Sequence, residues 1–395
     1  MAILIMMLMP ILAKSSSIDW RLQNETRISV APQKEGFKED AKPATVAFKD
    51  ASPKKKTTVA ACRAKFPELL ERADRELAPW KVISPDMIDR TWKCSNVAGQ
   101  AVFYGIHVKI HEGKVSYSIS GVGGMPNLRA QGIVRSINYA ASKIQLADAT
   151  FSMSTADHLY QSVGDRPYNG SYNPYLAPIL VPYRLQRDTG SVAAPDWTFF
   201  RGEIRGSSKN TFSEEDDLDF ITATIKKSAT ELPFEDRISK LFFMGDANSG
   251  VRERAWQLSI HAAGNDTERW GAIGMGPPSH HRTDRLDGKY KWVSHADHCK
   301  YKYLLSLSGN ANSNRYKYLF FCNATVVAPV RNGGNGGAGD GNEFEEFWHH
   351  RAIHGKTVLR PRSIEDLPQV VQELRASGAR AQVEEARVLF IKFLC

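Results

Sequence analysis

The chain has 395 residues, 42% of them hydrophobic and 24% charged, and a net charge of +9. That length can bury two sizeable cores, and the balance excludes a disordered or fibrous chain. Only Lys54-Lys55-Lys56 forms a run among scattered cations, which reads as a solvated stalk rather than a nucleic-acid-binding stripe, while the positive surface still favours an anionic nucleotide or an acidic acceptor as partner.

Ala2 to Ala13 are almost wholly apolar and Lys14 follows. The stretch is short for a membrane span and reads as the apolar part of a secretory signal or signal-anchor, a buried N-terminal helix being the other reading. Residues 15–60 are polar, rich in Lys, Pro and Ser and without periodicity, which predicts a flexible stem. Phe66, Leu69, Leu70, Ala73 and Leu77 recur at helical spacing, and Pro79 ends that helix. Ala101 to Val108 and Lys114 to Ile119 read as a strand pair divided by His111-Glu112-Gly113. Leu128 to Ile144 carries Ile133, Ile137, Ala140, Ala141 and Ile144 on one helical face. Ala149 to Ser154 reads as a short strand running into Thr155-Ala156-Asp157-His158. Ala177 to Tyr183 is another strand, and Leu218 to Glu231 a helix.

From Lys240 onward, strands alternate with helices, which predicts a parallel sheet covered on both faces. Lys240 to Gly245 is a strand, Arg252 to Ala263 a helix and Trp270 to Gly276 a strand. His280-His281 sits in a basic loop, and the other ligands of a tetrahedral metal set are not in view. Tyr301 to Leu307 alternates apolar and polar residues, Gly309-Asn310 breaks it, and Asn312 or Ser313 can cap a helix through Arg315, Tyr316, Leu319 and Phe320. Thr325 to Val330 returns to a strand. Such a unit points helix N–H groups at an anion, and a Ser313 hydroxyl with the forked Arg315 cation suits phosphate. Spacing alone fits an ordinary βαβ unit without a ligand equally well. Residues 332–342 are glycine-rich and low in complexity. Glu343 to Ile353 reads as a helix start and Thr357 to Arg360 as a strand. Ser363-Ile-Glu-Asp is a capping box before Leu367, Val370, Val371 and Leu374.

The run from His298-Cys-Lys-Tyr-Lys-Tyr303 through Gly309, Ser313, Arg315, Tyr316, Lys317 to Phe320 and Cys322 resembles the signature of glycosyltransferase family 90. That family holds protein O-glucosyl- and O-xylosyltransferases of the secretory pathway and fungal capsule-associated xylosyltransferases. The resemblance implies an α/β fold of the GT-B plan, two Rossmann-like domains around a cleft. Residues 1–14 would be the signal segment, 15–60 the stem, 61–225 the acceptor-side domain and 226–395 the nucleotide-sugar domain. It implies transfer of glucose or xylose, with inversion, from a UDP-sugar substrate to a hydroxyl of a protein or glycan, without a metal or other cofactor. Asp157 matches the family's strand-end base, with His158 and Asp165 as runners-up; inversion needs a carboxylate to take the hydroxyl proton. Gly245, Ser249, Arg252, Gly309, Ser313 and Arg315 fall on the donor side, and Trp197 and Phe200 on the acceptor side. The family's usual Arg is replaced by Met244, the aromatic-proline pair after Asp157 is missing, and the chain stops at Cys395, before the family's last helices. Those departures keep open a degenerate protein that only binds a glycan or partner.

The resemblance also implies a Cys299–Cys322 disulfide. Cys62 and Cys94 are the natural second pair, leaving Cys395 odd. Sequons at Asn24, Asn169, Asn265 and Asn323, with the apolar N-terminal segment, favour the lumen of the endoplasmic reticulum or Golgi. Membrane contact would come only through an N-terminal anchor.

Overall fold

A computed structural model describes residues 44–46, 55–56, 63–64, 67–94, 105–112, 114–120, 125–146, 148–155, 177–185, 191–196, 198, 218–246, 250–262, 269–276, 293–309, 313–329, 344–349 and 354–377. The chain forms two compact units, Met1–Arg184 with Asp188–Trp197, and Leu185–Arg187 with Thr198–Cys395. The division falls earlier than residue 225 because the helix at Leu218–Glu231 packs on elements of the second unit.

The first unit runs β1 (Ala44–Val46), β2 (Lys55–Lys56), α1 (Pro67–Leu77), α2 (Pro85–Cys94), β3 (Gly105–His111), β4 (Lys114–Ser120), α3 (Met125–Lys143), β5 (Ile144–Gln145), β6 (Ala149–Ser154), β7 (Ile179–Val181), the first residue of β8 (Arg184–Leu185) and β9 (Ser191–Ala193). Its main sheet has the order β1-β4-β3-β6-β7-β9. The β3–β4 turn is short, with Glu112 in the left-handed region (φ 49°), so these strands pair antiparallel. Only β6, β7 and β9 run parallel, giving a mixed sheet rather than an all-parallel Rossmann one. Part of the expected stem joins this unit as sheet: Ala44–Val46 pairs antiparallel with β4, and Lys55–Lys56 parallel with β5. Ala-Thr-Val is strand-prone, and an edge strand leaves a row of backbone groups to pair.

Two polar ties cross this unit. Glu76 of α1 is partly buried; it accepts from Arg72 at 2.7 Å, Arg184 at 2.9 Å and the Ala193 N–H at 2.8 Å. The buried His107 of β3 shares hydrogen bonds with Ser152 of β6 at 3.0 Å and Asp89 of α2 at 2.9 Å, and Lys109 reaches Asp89 at 2.7 Å. Burial pushes the Asp89 carboxyl up, but the bonds from His107 and Lys109 outweigh it and hold its pKa below the ordinary value.

The second unit contains α4 (Leu218–Glu231), a 3-10 turn (Phe234–Asp236), β10 (Ile238–Asp246), α5 (Gly250–Ile260), β11 (Gly271–Gly276), α6 (His295–His298), β12 (Tyr301–Leu305), α7 (Tyr316–Leu319) leading into a 3-10 turn (Phe320–Cys322), β13 (Thr325–Val327), β14 (Phe344–Glu345) and α8 (Leu367–Ser377). Its sheet is all parallel, in the order β11-β10-β12-β13. The two-residue period explains its two covered faces. Leu241, Phe243, Tyr303 and Leu305 gather with Val251 and Ala255 of α5 and Leu367, Val371 and Leu374 of α8. Phe242 turns the other way, stacking on Tyr301 at 4.1 Å and meeting His298 edge-on at 4.9 Å.

Two expected elements differ. The helix expected from Glu343 is β14 and a turn, because Phe347 and Trp348 are both fully buried and the indole N–H donates to Glu346 at 2.7 Å. The strand expected at Thr357 to Arg360 reduces to single bridges, Val327 with Leu359 and His354 with Val358. Gly355 turns the chain just before it (φ 77°), and Pro361 follows without an N–H to extend the pairing.

Candidate functional site

From β10 the chain moves outward to β11, then returns to β12 on the opposite side of β10. The strand order therefore reverses between β10 and β12, the place where open parallel sheets bind ligands at their carboxyl ends. Arg252 lies in the first turn of α5, after β10, and Arg315 at the start of α7, after β12. Both guanidiniums stand 5.3 Å from the Phe243 ring centroid. Both residues are buried, 6% and 8% exposed. Arg252 donates to the Leu307 carbonyl at 3.3 Å, and Arg315 donates to the Met244 carbonyl. The Arg315 Nε is buried and makes no hydrogen bond among the described residues. Two buried guanidiniums thus stand about one aromatic ring, an arrangement whose chemistry suits an anion with more than one charge.

Gly245 belongs to this arrangement by what it lacks. A Cβ there would come 2.8 Å from Phe243 Cζ and 3.0 Å from Arg315 Nη1. Met244, where the family's Arg was expected, points the other way. Its side chain lies over Gly274 of β11, where an added Cβ would meet Met244 Cε at 2.5 Å. Gly309 and Ser313 are buried in the connection between β12 and α7. The cap differs from expectation: Arg315 is the N-cap of α7 and no side chain caps it, while the Ser313 carbonyl accepts the Tyr316 N–H at 2.9 Å. With only four residues in α7, its dipole adds little, and guanidinium charge dominates.

The same turn carries contacts that sequence reasoning missed. Lys317, 1% exposed, donates to Thr198 Oγ1 at 2.6 Å and to the Asn314 carbonyl at 2.9 Å. The Tyr318 hydroxyl donates to the Thr198 carbonyl at 3.2 Å. Phe243 was missed because a Phe-Phe pair in a strand reads only as core. Lys317 left a signal, a lysine inside the apolar run Tyr316 to Phe321.

Behind the site, Cys299 and Cys322 form a disulfide with Cα atoms 4.8 Å apart. Arg237 gathers four carbonyls beside it: Cys322 at 2.7 Å, Asn323 at 3.0 Å, Ala229 at 2.8 Å and Leu232 at 3.0 Å. Burial lowers the Arg237 pKa from its usual value. Asn323 holds a left-handed conformation (φ 53°), and Thr325 of its sequon is buried. Asp157, His158, Asp165, Trp197, Phe200, Ser249, Asn24, Asn169, Asn265, Cys62 and Cys395 lie outside the described residues, as does the Cys94 side chain. The strand end leading to Asp157 is held by Arg129, which donates to the Thr155 carbonyl at 2.9 Å. Among the described residues, no three His, Cys, Asp or Glu gather as a metal site, and no helix is long and apolar enough to cross a membrane.

These features define an α/β protein with two buried guanidiniums at the reversal point of a parallel sheet. The model of Glycosyl transferase family 90 matches residues 62–331, and the chain belongs to that family. It is 25% identical over 325 residues to O-glucosyltransferase rumi of Drosophila pseudoobscura pseudoobscura, covering 78% of this chain and 67% of that protein. It is 28% identical over 219 residues to O-glucosyltransferase rumi of Drosophila melanogaster, covering 51% and 46%. Against Protein O-glucosyltransferase 1 of Rattus norvegicus the identity is 26% over 175 residues, covering 42% and 39%. The chain thus spans about two thirds of the first relative and less than half of the other two.

Proposed function

We propose that the protein is an inverting glycosyltransferase that moves glucose or xylose from a UDP-sugar to a hydroxyl of a protein or glycan. The observation that carries this reading is the buried pair Arg252 and Arg315 about Phe243 at the carboxyl ends of β10 and β12. A UDP diphosphate is an anion of matching charge, and the relatives' names support glucose on a protein hydroxyl. The acceptor oxygen attacks the anomeric carbon, its proton passes to a base, and the bond from that carbon to the phosphate oxygen breaks. Negative charge then grows on the departing UDP, where Arg315 stabilises it. Asp157 is the base in this reading, supported by its position at the end of β6 in the sequence. The guanidinium pair neutralises the diphosphate without requiring a metal. In the full GT-B plan, this second unit is the donor domain. The Cys299–Cys322 disulfide supports an oxidising compartment, the lumen of the endoplasmic reticulum or Golgi.

The test is UDP release from UDP-glucose and from UDP-xylose by wild type, Asp157→Asn and Arg315→Ala. The wild type should release UDP, Asp157→Asn should lose that release, and Arg315→Ala should slow it about a hundredfold or more. Arg315→Ala at the wild-type rate overturns the role of Arg315. Equal release by Asp157→Asn moves the base to His158 or Asp165. UDP binding without release by any form points to the degenerate reading that Met244 kept open.

A further inference from the structure

A lysine is rarely buried, because its ammonium needs oxygen partners once it leaves water. Lys317 satisfies that need with two oxygens from different parts of the second unit. One is the Asn314 carbonyl, immediately before Arg315; the other is the Thr198 hydroxyl, 119 positions away in sequence. Thr198 is held a second time, through its carbonyl, by the Tyr318 hydroxyl. Two consecutive side chains of α7 therefore grip one threonine, and one of them also fixes the turn from which the Arg315 guanidinium projects. Thr198 lies in the run Pro195 to Phe200, which the family resemblance assigns to the acceptor side.

Lys317 bonds to the turn before Arg315 and to a threonine distant in sequence, and its ammonium also stands 5.0 Å from the Tyr318 ring centroid. If Arg315 moves to meet an anion, Asn314 moves with it, and the ammonium must follow or break one of its bonds. Thr198 then feels the displacement through Oγ1.

We propose that Lys317 is a positioning residue that couples the Arg315 turn to Thr198, so that occupation of the donor site is felt at the segment around Thr198. The proposal rests on the UDP-sugar reading above and names a residue and a route that the reading does not contain. Lys317 touches neither sugar nor phosphate; it acts through Asn314 and Thr198.

The experiment is a double-mutant cycle read by UDP titration calorimetry, with thermal melting recorded beside it. The forms are wild type, Lys317→Met, Thr198→Val, the double variant and Thr198→Ser. Lys317→Met should weaken UDP binding about tenfold, and Thr198→Val by roughly three- to fivefold. The double variant should bind no worse than Lys317→Met, because the two residues share one interaction. Thr198→Ser keeps the hydroxyl and should bind as wild type does. Lys317→Met that binds UDP within about twofold of wild type while melting lower overturns the proposal, as does a double variant whose losses add. If Lys317→Met does not fold, Thr198→Val against Thr198→Ser decides: equal binding by the two overturns the coupling. A wild type that binds no UDP sinks the transferase reading, and the proposal with it, before any variant is compared.

Discussion

A methyl group at position 245 would lie 2.8 Å from Phe243 Cζ and 3.0 Å from Arg315 Nη1, both of them far ends of side chains. Gly245→Ala should therefore displace the ring and the guanidinium while leaving β10 paired. Its melting temperature should stay within roughly 4 °C of wild type, while UDP binding weakens about fivefold or more. Unchanged affinity in calorimetry would show that Arg315 does not need its present seat. Met244 makes a related point. Sequence alone counts it as a cation missing from the donor side, but the pleat turns it away from Phe243 and Gly245 and lays it over Gly274. The charge it lacks is missing from the opposite face to Arg252 and Arg315. The position of Arg315 at the start of a helix after β12 was legible, because the glycine break and the apolar run mark that turn. Phe243 was not, since nothing in a strand's composition tells a ring that seats cations from one that fills a core.

Arg237 acts on whole elements. Its guanidinium takes the last carbonyls of α4, at Ala229 and beyond it at Leu232, and those of Cys322 and Asn323 at the end of the 3-10 turn after α7. Such carbonyls have no partner inside their own helices, and buried ones are costly to leave unsatisfied. Arg237→Met should cost about 3 kcal/mol in urea unfolding, and Arg237→Lys should recover only part of it, since a point charge cannot reach four oxygens in one plane. A midpoint unchanged in Arg237→Met would refute this. The βαβ unit was legible in sequence because period-two strands, a glycine break and a short apolar helix occur in order; β12, α7 and β13 follow within a few residues. The connection to α8 was legible too, and the Ser363 N–H donates to Asp366 at 2.9 Å as one half of the capping box. The short elements were not. Ser191–Ala193 and His295–His298 hold too few residues to show a period, and they form because sheet pairing and the Ser294 cap complete them. Likewise, an acidic start at Glu343 could not reveal that Phe347 and Trp348 would be drawn into the interior.

At the scale of the molecule, each unit carries a carboxylate whose pKa is lowered. Asp89 in the first is held by His107 and Lys109 against its burial, and Asp297 in the second by Lys300 and Ser294. A carboxylate with a lowered folded pKa stabilises the fold above its unfolded value of about 3.9 and loses that contribution as pH falls through the folded one. Asp89→Asn should melt below wild type at pH 7, and the gap should close as the pH falls below about 4. A gap that stays constant through that range would exclude the charge as its cause. Asp89 belongs to the first unit and Asp297 to the second, and Asp297→Asn should likewise melt below wild type at pH 7. The disulfide closes a ring between positions 23 apart, and that ring contains β12, the Arg315 turn and α7. β12 is paired on both sides and α7 is buried, so an inserted or deleted residue could be absorbed only in the turn that aims Arg315. Descendants of this sequence should therefore be free to change letters in that turn far more readily than to change their number.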